Sequence, residues 1–295
     1  MKALRFNFGG LFLCKIIIMC YNIFGWIMII DTHVHFGSAA GFNLSQKDVL
    51  TAMENYKIDK AIVSNIAAVE FDQNQRLLPE KFQTSLLTSA KDTIDFAKDN
   101  PGKIFAAIWI KPHLEQPDAE LEYLLKIHPQ YVKALKVHPF YSNTAFDGPE
   151  VEAYIQLAER LELPVITHTA GDDNSSCIRV YNAAKKYPSV RFVMAHLGLE
   201  SNHQEAIELC TKLPNLYADT AWVSMEALIR FVKIAGSEKI MFGSDMPIDG
   251  VDTYAKNRWG QKSIYQDYFN VLESKIPATA YENIMWKNAE AFYKL

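Results

Sequence analysis

The chain has 295 residues, 49% of them hydrophobic and 22% charged, with a formal net charge of −4. That length buries one large core without requiring two domains, and the composition is that of an ordinary globular protein. A slightly acidic balance with no long Lys/Arg run argues against a nucleic-acid partner.

Residues 8–30 are apolar, broken by Lys15, Tyr21 and Asn22. The uninterrupted part is short for a membrane span of about 20 residues, and no small-residue cleavage site follows it. Residues 1–27 therefore read as an extension that contributes nothing to the chemistry, with a membrane anchor as the alternative. Cys14, Cys20, Cys177 and Cys210 show no Cys-x-x-Cys spacing. They read as reduced thiols, and a cytoplasmic location is expected.

From Met28 onward, strand-like and helix-like segments alternate. Ile29–His33 is the first strand, followed by a helical pattern at Val49, Leu50 and Met53. The second strand, Ala61–Asn65, leads into an inserted loop, Val69–Pro79, and a helix over Lys81–Asn100. Ile104–Ile110 and Ala134–His138 are the third and fourth strands. Pro149 opens a helix carrying Val151, Tyr154, Ile155, Leu157 and Ala158 on one face, and Pro164 precedes the fifth strand, Val165–His168. Gly171 to Asn174 read as a loop ending in a helix cap at Asn174 or Ser175. Arg191–His196, Leu216–Asp219 and Lys239–Gly243 complete the strands. A polar loop, Asp249–Ser263, then precedes closing helices over Ile264–Leu272 and Ala278–Tyr293.

Eight strands with helices between them, repeating at about 30 residues, predict an α/β chain folded as a (β/α)₈ TIM barrel. The barrel would occupy residues 28–295, after the extension of residues 1–27. A doubly wound open sheet ranks lower because no Gly-x-Gly-x-x-Gly turn follows the first strand.

Active sites of such barrels form at the C-terminal ends of the strands. His33 and His35 are two apart, so they leave the first strand on one face and can hold one divalent metal. His168 ends the fifth strand, His196 ends the sixth, and Asp245 follows the eighth. Lys136 and His138 close the fourth. Any one of these can be a buried, hydrogen-bonded residue. Four strand ends that each deliver His or Asp point instead to a metal site. Asp31 shares strand parity with His33 and is a candidate to orient it. Trp109, Lys111, Trp222 and Arg258, near other strand ends, are candidates for the substrate pocket. His113, His128 and His203 read as solvent-facing.

Asp31-Thr32-His33-Val34-His35, Lys136-Val137-His138-Pro139, Val165-Ile166-Thr167-His168, Ala195-His196-Leu197-Gly198 and Phe242-Gly243-Ser244-Asp245-Met246-Pro247 resemble the ordered motifs of the amidohydrolase superfamily. The nearest resemblance is to its amidohydrolase-related branch, which includes aminocarboxymuconate semialdehyde decarboxylase. It runs from Met28 to the C-terminus. The resemblance implies that His33, His35, His168 and Asp245 ligate the metal, with Asp245 and His196 moving protons. Zn²⁺ suits that donor set, with one ion expected and Mn²⁺ or a second metal left open. In binuclear relatives a lysine at the place of Lys136 is carbamylated; here a substrate or electrostatic role is expected, with His138 on the pocket wall. TatD-like nucleases carry a glutamate where this chain has Lys136, which counts against nuclease activity. A homodimer is implied by the resemblance alone.

The expected function is hydrolysis of a small amide, cyclic amide or lactone by a metal-activated water. The alternative is non-oxidative decarboxylation of a small unsaturated or aromatic carboxylate. It needs a cation to seat the carboxylate, and Lys111, Lys136, Arg179 and Arg258 are the candidates. A barrel that only binds a ligand is the third reading.

Overall fold

Strand β1 (Ile30–Ala39) starts at the last residue of the apolar run and is twice the length expected from the sequence. His33 and His35 therefore lie inside the strand and not at its end. The computed structural model describes residues 27–295. Cys14, Cys20 and the extension up to residue 26 lie outside the described residues.

Ala40 and Gly41, both at positive φ, turn β1 back into a short antiparallel strand, β2 (Phe42–Leu44). The sequence pattern did not signal this hairpin. Helix α1 (Gln46–Tyr56) opens with a reciprocal cap, because the Ser45 side chain accepts from Asp48 N while Asp48 accepts from Ser45 N. After β3 (Lys60–Asn65) the insertion runs through two short 3₁₀ turns, Ile66–Ala68 and Glu80–Phe82. Helix α2 (Leu86–Asp99) begins five residues later than the expected Lys81. Ser85 caps it by accepting from Thr88 N, which fixes its start.

The rest alternates as predicted: β4 (Ile104–Trp109), α3 (Ala119–Lys126), β5 (Val132–Val137), a one-turn α4 (Pro139–Ser142) and α5 (Pro149–Arg160). Then come β6 (Val165–Ala170), α6 (Cys177–Lys186), β7 (Phe192–Leu199), α7 (Gln204–Lys212), β8 (Leu216–Asp219) and α8 (Met225–Ala235). Ser176 occupies the cap position of α6, so the expected cap at Asn174 or Ser175 was one or two residues early. Strand β9 (Ile240–Met241) is shorter than expected. Beyond it, Gly243 exchanges hydrogen bonds with the Thr220 hydroxyl and leaves the ladder. The closing helices are α9 (Tyr265–Asn270), α10 (Ala278–Glu282) and α11 (Asn288–Tyr293), the last two joined by a π-helical turn, Asn283–Lys287.

The nine strands form one sheet in the order β2-β1-β3-β4-β5-β6-β7-β8-β9, parallel except for the first pair. The sheet curls, and the segment after β9 bonds back to β1. Thr32 N donates to Phe242 O at 2.9 Å, Asp245 N to His33 O at 2.8 Å, and His35 N to Met246 O at 2.7 Å. The result is a mixed α/β fold with a curled, barrel-like sheet, as the alternation predicted.

Strand parity sorts the interior into layers. Ile30, Ile62, Phe105, Ala134, Ile166 and Met241 form an apolar plug near the N-terminal ends of the strands, closed by Phe292 and Tyr293 of α11. Two residues further along, Ser64, Lys136 and His168 point the same way as Ile62, Ala134 and Ile166, towards the opposite rim. The outer faces of the strands pack against the helices in the larger core. Cys177 and Cys210 are free and buried. Among the described residues, no helix is long and apolar enough to cross a membrane.

Candidate metal centre

His33, His35 and Asp245 converge at the rim. The two Nε2 atoms are 3.1 Å apart. Asp245 Oδ1 lies 3.2 Å from Nε2 of His33 and 2.9 Å from Nε2 of His35. The other ring nitrogens are engaged from behind. His33 Nδ1 is 2.9 Å from Asp219 Oδ2, and His35 Nδ1 is 2.8 Å from the Ser64 hydroxyl, whose own proton faces Val34 O. These contacts set the proton on Nδ1 of both rings, so two Nε2 lone pairs and a carboxylate oxygen face one another, with the Lys136 ammonium 2.9 Å from Nε2 of His33. Positive charge satisfies such lone pairs, and Lys136 supplies it at His33. Two neutral imidazoles and a carboxylate are also a donor set that divalent transition metals and zinc accept. The residues fit a metal ion.

The backbone brings the donors this close by two devices. Gly243 leaves room that a side chain would fill, since a Cβ there would meet Cβ of His33 at 3.0 Å and Cβ of Asp219 at 3.2 Å. Asp245 itself holds a φ of +63° and His196 a φ of +69°, a left-handed conformation that is uncommon outside glycine, better tolerated by Asp and His than by most residues, and recurrent at functional sites. Asp31 clamps the chain around them. It accepts from His33 N at 3.0 Å, Ser244 N at 3.1 Å and Tyr254 Oη at 2.7 Å, and also from the Ser244 hydroxyl. Asp31 therefore anchors main chain. The carboxylate that orients the His33 ring is Asp219, which the sequence reading did not single out although it ends the seventh strand.

Burial dominates the electrostatics. It holds His33, and likewise His138 and His168, well below the usual histidine range, with neighbouring positive groups adding to the effect. His196 is held down to about 4 by burial and by His33 beside it. Burial lowers the Lys136 ammonium to about 8 against the pull of Asp219 and Asp245. Burial would raise Asp245, but the facing imidazoles more than offset it and keep the carboxylate ionised. At neutral pH the rings of His33, His138, His168 and His196 are neutral, beside a charged Lys136 and an ionised Asp245.

A family model described as amidohydrolase matches residues 30–295. The chain belongs to the amidohydrolase family. No curated protein matches it. Among solved structures it is similar to 2,6-dihydroxybenzoate decarboxylase from Rhizobium, at 16% identity over 91% of this chain and 99% of that one, with a TM-score of 0.66. A 5-carboxyvanillate decarboxylase from Novosphingobium aromaticivorans, solved with bound manganese, is 12% identical over 91% of this chain and 97% of that one, at a TM-score of 0.68. A probable 2-pyrone-4,6-dicarboxylic acid hydrolase from Acinetobacter baumannii is 12% identical over 90% and 99% of the two chains, at 0.61. At such identities the likeness is one of fold.

In this amidohydrolase a cavity of about 410 Å³ opens above the donors. His33, His35, His138, His168, His196 and Asp245 all line it, with Trp109. His168 lies outside the three-residue donor group. Its ring stacks on His138 at 3.9 Å and 13°, and sits 4.8 Å from the ring of His196. Trp109 continues the stack, 5.5 Å and 15° from His138. His138 also caps α4, its Nδ1 accepting from Tyr141 N at 3.4 Å, so the wall role and the capping role coexist. His196 Nδ1 lies 3.2 Å from Ala221 O, which places its proton there and leaves the Nε2 lone pair.

Four expected pocket residues stand elsewhere. Lys111 is buried away from the cavity, its Nζ 2.7 Å from Thr84 O and 3.3 Å from Glu115. Arg258 is exposed, paired with Asp249 at 2.9 Å and stacked over Trp259. Lys136 does not line the cavity but lies behind it, its Nζ 2.9 Å from His33 Nε2. Trp222 does not line it either; its indole N–H donates to Asp245 Oδ2 at 2.7 Å. Arg179 is taken up by Asp147 and Asp173. Sequence position reported which strand end each residue occupies, but not where a long side chain turns. Of the remaining histidines only His113 is exposed; His128 and His203 are half-buried, with ring nitrogens on Leu124 O and Leu197 O. The apolar wall from Phe42, Ile66, Val69 and Tyr141 was not foreseen, because the β1–β2 hairpin, the insertion and the short helix α4 supply it.

Proposed function

We propose that this amidohydrolase hydrolyses a small, flat amide, cyclic amide or lactone that is neutral or carries a single negative charge. The carrying observation is the charge of the cavity. Its charged lining residues are Asp172, Glu200 and Asp245, and no Lys or Arg among the described residues lines it. A substrate with several carboxylates would meet repulsion there and find no lysine or arginine on the lining to seat them.

His33 Nε2, His35 Nε2 and Asp245 Oδ1 would hold the metal, with His168 proposed as a further donor and Zn²⁺ as the ion. When bound, a divalent ion there supplies a Lewis acid that polarises a carbonyl and acidifies water. His196 performs the proton transfer. Its neutral ring takes a proton from the attacking water at Nε2 as the new C–O bond forms, and returns it to the departing nitrogen or oxygen as the old bond breaks. The Ala221 carbonyl holds Nδ1–H in place and favours the imidazolium so formed. Trp109 and His138 give a planar substrate a stacking wall. This reading assumes the full (β/α)₈ barrel of the family and a soluble, cytoplasmic protein.

Decarboxylation of an aromatic carboxylate is the second reading. The Trp109–His138–His168 stack favours it, as do the decarboxylases among the similar structures. Metal-loaded protein assayed against lactones, amides and aromatic carboxylic acids separates the two. Acid release without CO₂ is expected, lost on chelation and restored by Zn²⁺. Evolution of CO₂ would select the carboxy-lyase, and silence from a metal-replete protein would leave a binding role.

A further inference from the structure

We infer that Trp222 is a positioning residue that assigns the two oxygens of Asp245 to separate tasks. Oδ1 faces the two histidine nitrogens, while Oδ2 is held by the indole N–H at 2.7 Å. The carboxylate thus presents one oxygen to the donor group and cannot turn the second towards it without breaking a charge-assisted hydrogen bond.

The holder is itself held. Trp222 N donates to Tyr265 Oη at 3.1 Å, and the same hydroxyl donates to Ser244 O at 2.6 Å, one residue before Asp245. Tyr265 therefore ties the main chain of Trp222 to the main chain that carries its target. On the other side Tyr268 Oη donates to Val223 O at 2.8 Å, and Val223 N to Thr220 O at 3.0 Å. Trp222 has a φ of +61° and Asp245 a φ of +63°. Two facing residues in a conformation that L-residues avoid, joined side chain to side chain, mark a geometry that the surroundings impose. Packing alone would not require it, since a half-buried indole could lie along the surface.

Ring chemistry provides the test. The five-membered rings of tryptophan and histidine superpose, so the imidazole Nε2–H of Trp222→His falls where the indole N–H stood. Histidine is also among the residues that tolerate positive φ. Trp222→Phe keeps an aromatic ring and removes the donor. Full-length proteins stripped of metal would be titrated with Zn²⁺ against a chromophoric chelator, and their metal-free Tm recorded alongside. Loss of such an outer partner typically weakens metal binding by about 10–100-fold. Trp222→Phe is expected to lose at least about tenfold in affinity with little change in metal-free Tm, and Trp222→His to stay within about threefold of wild type. Equal losses in both variants, or no loss in Trp222→Phe, would overturn the inference. Should Trp222→Phe not fold, Trp222→His decides alone: retained affinity supports the donor role, and a tenfold loss removes it. The inference rests on the metal reading, which fails separately if the wild-type protein takes up no divalent ion.

Discussion

The two ends of the same strands obey different rules. At the N-terminal end, Ile30, Ile62, Phe105, Ala134, Ile166 and Met241 fill the sheet with apolar side chains, and α11 covers them. At the other end the same strands carry neutral imidazoles, buried carboxylates and a buried lysine. Residues there hold unusual backbone angles, at Asp245, His196, Trp222 and Glu200. One end contributes stability through burial. The other costs stability, since its polar groups are desolvated and its backbone strained, and that cost is what holds donors in place for chemistry. Substitutions at the two ends should therefore separate function from folding.

The largest effect is expected at the rim. Asp245→Ala should lose the metal and drop turnover by more than about a thousandfold, while His196→Ala keeps the metal and loses about 10²–10⁴. Elemental analysis beside activity reads both, and loss of metal from His196→Ala would erase the division between holding the ion and moving the proton. At the plug, Ile166→Ala should cost about 2–4 kcal/mol of stability by leaving a cavity, yet retain wild-type metal stoichiometry. A variant that kept its Tm but shed its metal would break the contrast between the ends.

The smallest effect sharpens the claim that rim groups work against stability. Glu70 is buried beside the pocket wall, and burial lifts its carboxyl to about 8, although Leu114 N and His113 N both donate to it. An acid raised in the folded state contributes stability that is full below its unfolded value of 4.5 and is lost as pH rises through about 8. Glu70→Gln retains an acceptor for the two N–H groups. It should be more stable than wild type above pH 8 by about 1–3 kcal/mol and show a flatter Tm-versus-pH curve. A variant whose curve tracks that of wild type would mean that Glu70 is ionised and well solvated in the folded protein.

Local pattern alone made the alternation of elements readable, because apolar period and turn residues act within a few positions. It also located His33, His35, His168, His196 and Asp245 at one rim, since parity and strand ends are properties of sequence spacing. Other features depended on distant partners. The Asp219 carboxylate finds His33 across the sheet, and Trp222 finds Asp245 only once β8 and the segment after β9 are neighbours. Lys111 and Arg258 looked like pocket cations, but long flexible side chains take whichever partner folding brings near, here Thr84, Glu115 and Asp249. The sequence by itself determined the kind of fold and the residue types offered at its rim. Only the tertiary structure decided which of those side chains face one another, because that depends on the curl of the sheet and on backbone angles that no local preference favours.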